Sequence, residues 1–243
     1  MNRKPRTVAI SQPFYFPWLG AVEIFFNADV YVFLDDVNFQ KGGLNNRVKI
    51  KTKDGLRWLT VPLLKPSQNK LINEIKIDDK NDFRSEHQKI LENSYISAAH
   101  FKIVKNILDN VFSNNLTSLS ETAILSEMHL FQAFNLQNSP LTFKSSDFSL
   151  SKKGSLRIME IVKMLDGEVY LTAHGAVNYL DHLEFEKNGI EVRYMKYGSW
   201  NYPQLYGEFN PFVSSLDALA CLGKESTRLL TFNSIHWRDF ISG

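Results

Sequence analysis

The stretch that most constrains the fold of this chain covers residues 8–47, where two apolar segments flank a connection framed by prolines. The first segment stops before Pro13, and Pro17 follows four residues later, so the connection is stiff and extended, not helical. Apolar spacing then predicts a helix over 18–27, and the β-branched and aromatic run at 30–34 predicts a buried strand. Strand, loop, helix and strand in this order predict a βαβ unit.

Polar residues follow both strands of the predicted unit. Ser11 and Gln12 end the first strand, and Asp35 and Asp36 end the second. Because ligands of open α/β sheets bind at the carboxyl ends of strands, we expect these side chains to emerge side by side in a site. Asp35 is a candidate catalytic base, and Gln12 and Asp36 are candidates for contacting substrate. The alternative is that one aspartate caps the following turn, and strand alternation lets at most one of them face a site.

Composition excludes several classes of protein. The chain of 243 residues is 44% hydrophobic, which is enough to fill a sizeable core. Its apolar runs are shorter than a membrane span requires, so we expect no membrane insertion and a cytoplasmic location. The single cysteine, Cys221, excludes an intrachain disulfide and a cysteine-based zinc site, and the histidines show no metal-ligand spacing. A net charge of +2 without a basic stripe argues against nucleic acid as a partner.

The whole chain, residues 1–243, predicts one α/β domain with a mainly parallel or mixed sheet, flanking helices and a helical insertion. A β-hairpin is predicted at 48–63, and the isoleucine-rich stretch 72–77 predicts a further strand. Apolar spacings of three and four predict three helices in a region near 82–138. Strands alternating with helices are then predicted at 141–146, 169–172 and 190–195.

A glycine-containing loop carries three closely spaced cations, Lys41, Arg47 and Lys49. Cations on such a loop can hold a phosphate. Asn46 with Arg47 suits a diphosphate or a carboxylate, because the guanidinium group offers a planar fork of donors. These four residues are therefore substrate-binding candidates, and the alternative for Arg47 is a surface ion pair.

His174 follows the predicted strand 169–172, a position typical of a catalytic acid or base, and imidazole groups titrate near neutrality. A structural role for this lone histidine is the competing interpretation.

Gln12 and Gln204 lie beside proline and aromatic residues, where they can hydrogen-bond sugar hydroxyls or satisfy buried backbone groups. Aromatic side chains can offer ring faces to a sugar or base, and hydroxyls and carboxylates suit a helix start. The remaining substrate-binding candidates are Tyr15, Trp18, Ser214 and Asp217.

Six short motifs, spread over almost the whole chain, point to a known family. They are QP at 12–13, FPWLG at 16–20, LDDV at 34–37, NR at 46–47, LTVP at 59–62 and YPQ at 202–204. Through these motifs the sequence resembles the WbqC-like family, bacterial proteins encoded with genes for O-antigen (lipopolysaccharide) and other surface polysaccharides. The resemblance implies a role in making or decorating an unusual sugar, by transfer of an acyl or aminoacyl group to an amino sugar. Many members carry a histidine where this chain has Ser11, so an imidazole group at that position is not part of the expected mechanism.

The residues and the resemblance together predict a transferase that binds a nucleotide-linked sugar between the opening unit and the aromatic segment 200–212. The expected partners are that nucleotide sugar and an acyl or aminoacyl donor, with nucleic acid expected only as an aminoacyl carrier. No cofactor and no oligomeric state are assigned. The alternative is a non-catalytic component of the same pathway that binds a glycan or a partner protein.

Overall fold

The fold is built on a six-stranded sheet and a separate two-stranded hairpin. The structure, a computed structural model, describes residues 3–65, 69–137, 139–198 and 200–243. Its strands are β1 (Thr7–Ser11), β2 (Val30–Phe33), β3 (Arg47–Thr52), β4 (Gly55–Thr60), β5 (Leu141–Lys144), β6 (Val169–Thr172), β7 (Glu191–Met195) and β8 (Ser234–His236). Its helices are α1 (Leu19–Phe26), α2 (Phe83–Tyr95), α3 (Phe101–Phe112), α4 (Leu119–Phe134), α5 (Gly154–Met164), α6 (His182–Lys187), α7 (Leu216–Leu222) and α8 (Trp237–Ser242).

The order of strands in the large sheet is β5-β2-β1-β6-β7-β8. The first five strands run parallel, and β8 pairs antiparallel with β7, so the predicted α/β fold with a mixed, mainly parallel sheet is confirmed. From β1 the chain adds β2 and β5 on one side and later β6 and β7 on the other. The gap between the ends of β1 and β6 is therefore the topological switch point, where open α/β sheets bind ligands.

Both faces of the sheet are covered, which explains why β2 and β6 are buried along their whole length. Alternate residues of the central strands point to opposite faces. Ala9 and Tyr31 pack with α1, the helices α2 to α4, and α7. Val8 and Val30 pack with α5, α6 and α8 on the opposite face. The two layers fix the carboxyl ends of the strands at one edge of the molecule.

Three helices, α2 to α4, occupy the predicted helical region, of which residue 138 lies outside the described residues. Asp82 caps α2, since its Oδ1 accepts a hydrogen bond from the backbone N–H of Ser85 at 3.1 Å. The hairpin of β3 and β4 is confirmed. Within the part of the chain that the structure describes, no helix combines the length and the apolar character needed to cross a bilayer.

The predicted strand at 72–77 is wrong. Ile72–Glu74 form a 3₁₀ turn, and the backbone of Ile75 accepts a hydrogen bond from Leu119 at the start of α4, at 3.0 Å. The isoleucine side chains are buried, as a strand would also require. Alternating burial alone therefore does not distinguish a strand from a segment that lies against the end of a helix.

Candidate functional site

The loop after β1 is held in one conformation by distant parts of the chain. The side-chain amide of Asn45 donates a hydrogen bond to the carbonyl of Pro13 at 2.9 Å. Ser215, close to α7, donates to the carbonyl of Pro17 through its backbone N–H at 2.8 Å and through its hydroxyl at 2.7 Å. The two prolines have a fixed φ angle, and the hydrogen bonds hold their carbonyl groups. Together they restrict the loop to one backbone conformation.

Phe16 in the same loop has a left-handed backbone with φ of 44° and a fully buried side chain. Such a conformation costs a non-glycine residue about 1–3 kcal/mol and persists where its surroundings enforce it. The enforcing contact is a hydrogen bond from the Phe16 backbone N–H to the hydroxyl of Ser126 in α4, at 3.0 Å. Strain of this kind is characteristic of functional sites.

Tyr15 lies in the loop with its ring buried and its hydroxyl 2.9 Å from Nδ1 of His87 in α2. The backbone of Thr60 also hydrogen-bonds the His87 ring. Burial lowers the pKa of His87 to about 4, and burial raises the pKa of Tyr15 well above its ordinary value. Both groups are therefore neutral near pH 7, and they anchor the loop to the helical region.

The first of two adjoining cavities, which we name the cationic cavity, has a volume of about 290 Å³. It lies between the loop after β1, the start of β3, and the segment around Phe212. Its walls include the rings of Tyr15, Trp18 and Trp58, and its charged lining residues are Arg47 and Lys49. Among the described residues, no carboxylate lines this cavity, so its electrostatic character is positive.

Arg47 and Lys49 are held over one aromatic ring. The guanidinium carbon of Arg47 lies 4.3 Å, and the ammonium nitrogen of Lys49 5.1 Å, from the ring centroid of Trp58. One Nη of Arg47 donates to the carbonyl of Gly42. The Nε–H of Arg47 is buried and has no acceptor among the described residues. Arg47 and Lys49 nevertheless both line the cavity, where their charges can meet an anionic ligand.

The second cavity, which we name the histidine cavity, has a volume of about 610 Å³. It lies at the switch point, between the start of α1 and the ends of β6 and β7. Its lining includes His174, Tyr197 and Trp200. Trp18 and Phe212 line both cavities, and their ring centroids are 6.0 Å apart, so these two rings form the boundary between them.

His174 directly follows β6, and its Nε2 lies 2.7 Å from the backbone carbonyl of Met195. Because a carbonyl can only accept, Nε2 carries the proton of this hydrogen bond. In the neutral ring, Nδ1 is then the proton acceptor, and it has no hydrogen-bond partner among residues 3–65, 69–137, 139–198 and 200–243. This arrangement is suited to general base chemistry inside the histidine cavity.

Trp200 and Trp18 are each fixed by a residue of α1. The Trp200 indole N–H donates to the buried carboxylate of Glu23 at 2.9 Å, and the backbone N–H of Thr231 donates to the same oxygen at 2.9 Å. Gly20 leaves the space that the Trp18 indole fills, since a Cβ at Gly20 would lie 2.6 Å from that ring. The start of α1 therefore sets the position of two of the cavity walls.

Sequence comparisons identify the family of the chain. The model of the WbqC-like protein family matches residues 12–229 of the chain. The chain belongs to the WbqC-like family. A curated relative, named Uncharacterized protein Rv1507c, of Mycobacterium tuberculosis (strain ATCC 25618 / H37Rv), is 31% identical over 232 residues, which cover 93% of this chain and 98% of the relative. No solved structure gives a significant match to the chain.

The two aspartates of this WbqC-like protein hold β2 and β5 together. The Asp35 carboxylate accepts hydrogen bonds from the backbone N–H of Ser146 at 3.0 Å, from its hydroxyl at 2.8 Å, and from the hydroxyl of Ser145 at 3.2 Å. Asp36 accepts a hydrogen bond from the same Ser145 hydroxyl and forms an ion pair with Arg157 of α5. Neither aspartate lines either cavity, which favours the structural alternative for both.

Gln204 and Asp217 belong to a buried polar cluster away from the two cavities. The Gln204 amide donates to the hydroxyl of Tyr202 at 3.0 Å and to the carbonyl of Asn210 at 2.9 Å. The Tyr202 hydroxyl donates to Asp217 at 2.9 Å. Burial raises the pKa of Asp217 to about 6. These contacts shape the segment before Phe212, and they match the interpretation of Gln204 as a satisfied amide, although its side chain is only half-buried.

The other predicted substrate-binding residues lie outside the two cavities. Asn46 donates to a backbone carbonyl after β4, and Ser214 accepts from a backbone N–H of α7. The side-chain oxygen of Gln12 accepts from Asn45 at 3.2 Å, and Lys41 is exposed. In the described ranges, no group of three or more histidine, cysteine, aspartate or glutamate side chains is placed to hold a metal ion.

Sequence reasoning missed three residues that shape the cavities of this WbqC-like protein. The sequence pattern assigns Trp58 only to a hairpin. In the structure the residue is 41% exposed, and its ring packs against the cationic groups of Arg47 and Lys49. Phe212 was grouped with a general aromatic segment, and Gly20 had no assigned role. Strand alternation offered a signal for Trp58, because Lys49 lies opposite it in the hairpin register.

Proposed function

We propose that this protein is an enzyme of surface-polysaccharide biosynthesis that binds a nucleotide-linked sugar and transfers an acyl group to it. The nucleotide phosphates would contact Arg47 and Lys49 in the cationic cavity, with the base against its aromatic walls. His174 would accept a proton from the attacking amine of the sugar. Family membership supports the polysaccharide pathway, and the geometry of the two cavities supports the division of roles.

The observation that carries the proposal is the state of Arg47. Its guanidinium group is fixed on Trp58 and has a buried Nε–H without an acceptor among the described residues. An anion in the cavity would meet the guanidinium group of Arg47 and the ammonium group of Lys49, which both line it. Hydrogen bonds of this kind, in which both donor and acceptor carry a charge, are stronger than those between neutral groups.

Differential scanning fluorimetry with UDP- and dTDP-linked amino sugars tests the binding step. At a concentration of one hundred times Kd, a ligand stabilises a fold by about 2.7 kcal/mol, which for a chain of this size raises Tm by about 5–10 °C. Arg47→Ala should weaken binding about 10- to 100-fold, since hydrogen bonds to charged groups contribute about 1.5–3 kcal/mol. Arg228→Ala is the matched control, because Arg228 is 81% exposed and pairs only with the nearby Glu225 among the described residues.

Turnover distinguishes the enzyme from a binding component of the same pathway. Loss of a general base costs about 10²–10⁴-fold in rate, so His174→Gln should reduce kcat in that range and leave nucleotide-sugar binding intact. Saturable binding without product from any amino sugar and acyl donor would favour the non-catalytic alternative. Binding that is equal in wild type and Arg47→Ala would contradict the phosphate assignment.

A further inference from the structure

The histidine cavity differs chemically from its cationic neighbour. Its walls are the rings of Trp18, Tyr197, Trp200 and Phe212, and its floor includes small residues next to His174. Among the described residues, no lysine, arginine, aspartate or glutamate lines it. Burial raises the pKa of Tyr197 above its ordinary value, so this hydroxyl stays neutral near pH 7. The cavity is therefore an uncharged, mainly apolar space.

This chemistry selects among the groups that a transferase could bind there. A phosphate or an ammonium group would meet no opposite charge in this lining, so any hydration that it lost on binding would not be replaced. A sugar ring requires a hydrogen-bond partner for each buried hydroxyl, and the indole N–H of Trp200 is already engaged by Glu23. An acyl chain requires no such partners and gains from removal of its apolar surface from water.

We propose that the histidine cavity binds the apolar acyl group of a thioester donor. The reaction step rests on the function proposed above, whereas the binding site does not depend on it. In that step the amine nitrogen of the sugar attacks the thioester carbonyl, and a C–N bond forms while the C–S bond breaks. Nδ1 of His174 takes the proton from the amine and passes it to the departing thiolate, so protons and electron pairs balance.

Gly175 offers a way to fill this cavity without disturbing the backbone. It lines the cavity, its φ lies outside the left-handed region, and a Cβ placed on it meets nothing within 4 Å. Gly175→Leu therefore adds a branched side chain to the lining of the cavity without a clash at its Cβ. Asn178→Leu is the matched control, because Asn178 lies in the same 3₁₀ turn, is exposed and does not line the cavity.

The test measures binding of N-acetylcysteamine thioesters with acyl chains from acetyl to hexanoyl, by isothermal titration calorimetry. These probes lack phosphates and so cannot use Arg47 and Lys49. Affinity for the wild type should rise about fourfold per added methylene, from the transfer free energy of a buried methylene. Gly175→Leu should weaken hexanoyl binding at least tenfold, and Asn178→Leu should bind as the wild type does. Ala173→Leu, a second substitution in the lining, should act as Gly175→Leu does if the latter lowers Tm.

Equal affinity along the chain-length series, equal affinity in wild type and both cavity-filling variants, or displacement of the thioester by free monosaccharides would overturn the proposal. Failure of the enzyme function is recognised separately. If no nucleotide sugar binds but thioesters bind with the expected chain-length dependence, the acyl-binding site is supported and the proposed transferase function is refuted. If nucleotide sugars bind through Arg47 and thioesters do not bind, the acyl site is refuted alone.

Discussion

Replacement of Gly20 by alanine tests how the boundary between the two cavities is set. The added Cβ would lie 2.6 Å from two carbons of the Trp18 indole. Since carbon atoms pack at about 3.5–4.0 Å, the ring must move by about 1 Å. Its neighbours are the rings of Tyr197 and Trp200, both centred 5.2 Å away, and that of Phe212. A shift of Trp18 therefore changes walls of both cavities.

Two opposing effects determine the stability of Gly20→Ala. Alanine is favoured over glycine within a helix by up to about 1 kcal/mol. Displacing the Trp18 side chain from its rotamer costs about 0.5–1.5 kcal/mol. The net change in the free energy of unfolding should stay within about 1 kcal/mol, so Tm should change by less than about 4 °C. Catalytic efficiency should fall more than stability does, since a misplacement of about 1 Å can reduce it about 100-fold.

A double-mutant cycle with Trp18→Ala isolates the contact. Without the indole, the Cβ at residue 20 loses its nearest neighbours, and Gly20→Ala should then stabilise the fold. The coupling free energy between the two substitutions should equal the cost of moving the ring, about 0.5–1.5 kcal/mol. Urea unfolding of the four proteins measures it. The same stability change from Gly20→Ala with and without Trp18 would refute the reasoning.

Two buried titratable groups give stability predictions of opposite sign. Burial raises the pKa of Asp217 in the folded state from 3.8 to about 6. The protonated carboxyl is therefore the form that suits the fold. Its contribution to the free energy of unfolding, up to about 3 kcal/mol, is lost as pH rises from about 4 to 6. Urea unfolding should therefore find Asp217→Asn more stable than wild type above pH 6, with the difference vanishing near pH 4. Burial lowers the pKa of His87 from 6.5 to about 4, so its contribution of up to about 3 kcal/mol is present above pH 6.5 and is lost as pH falls toward 4. His87→Gln should flatten this acid-side loss in Tm, and an unchanged slope between pH 7 and pH 4.5 would contradict the assignment.

Local patterns predicted the elements of the fold well. The prolines, the helix closed by Asn27 and the apolar strands set the βαβ unit, because each depends on residues close together in the sequence. The strand predicted at 72–77 was wrong, because the buried isoleucines around the 3₁₀ turn Ile72–Glu74 imitate a strand, and β8 and α8 were not predicted. The order of strands across the sheet was beyond local reasoning, since β1 pairs with a strand more than 150 residues away.

The candidate site was predictable only in part for the same reason. The cleft between the opening unit and the aromatic segment was expected, and Trp18, Arg47 and Lys49 line it. Asp35, in contrast, is satisfied by hydroxyl and amide groups of Ser145 and Ser146, 110 and 111 residues away in the chain. Whether a carboxylate is free or already bonded depends on such long-range contacts, and sequence spacing does not record them.

The central place of β1 in the sheet has a consequence for synthesis of the chain. A ribosome makes β2 soon after β1, so one edge of β1 is paired early. The opposite edge waits for β6, which follows β2 by about 136 residues, or about 7–30 s at translation rates of 5–20 residues per second. During that interval the unpaired backbone groups of β1 are open to pairing with other chains. Strand β1, which leads into the loop that lines both cavities, is therefore also a place where a nascent chain is open to misassembly.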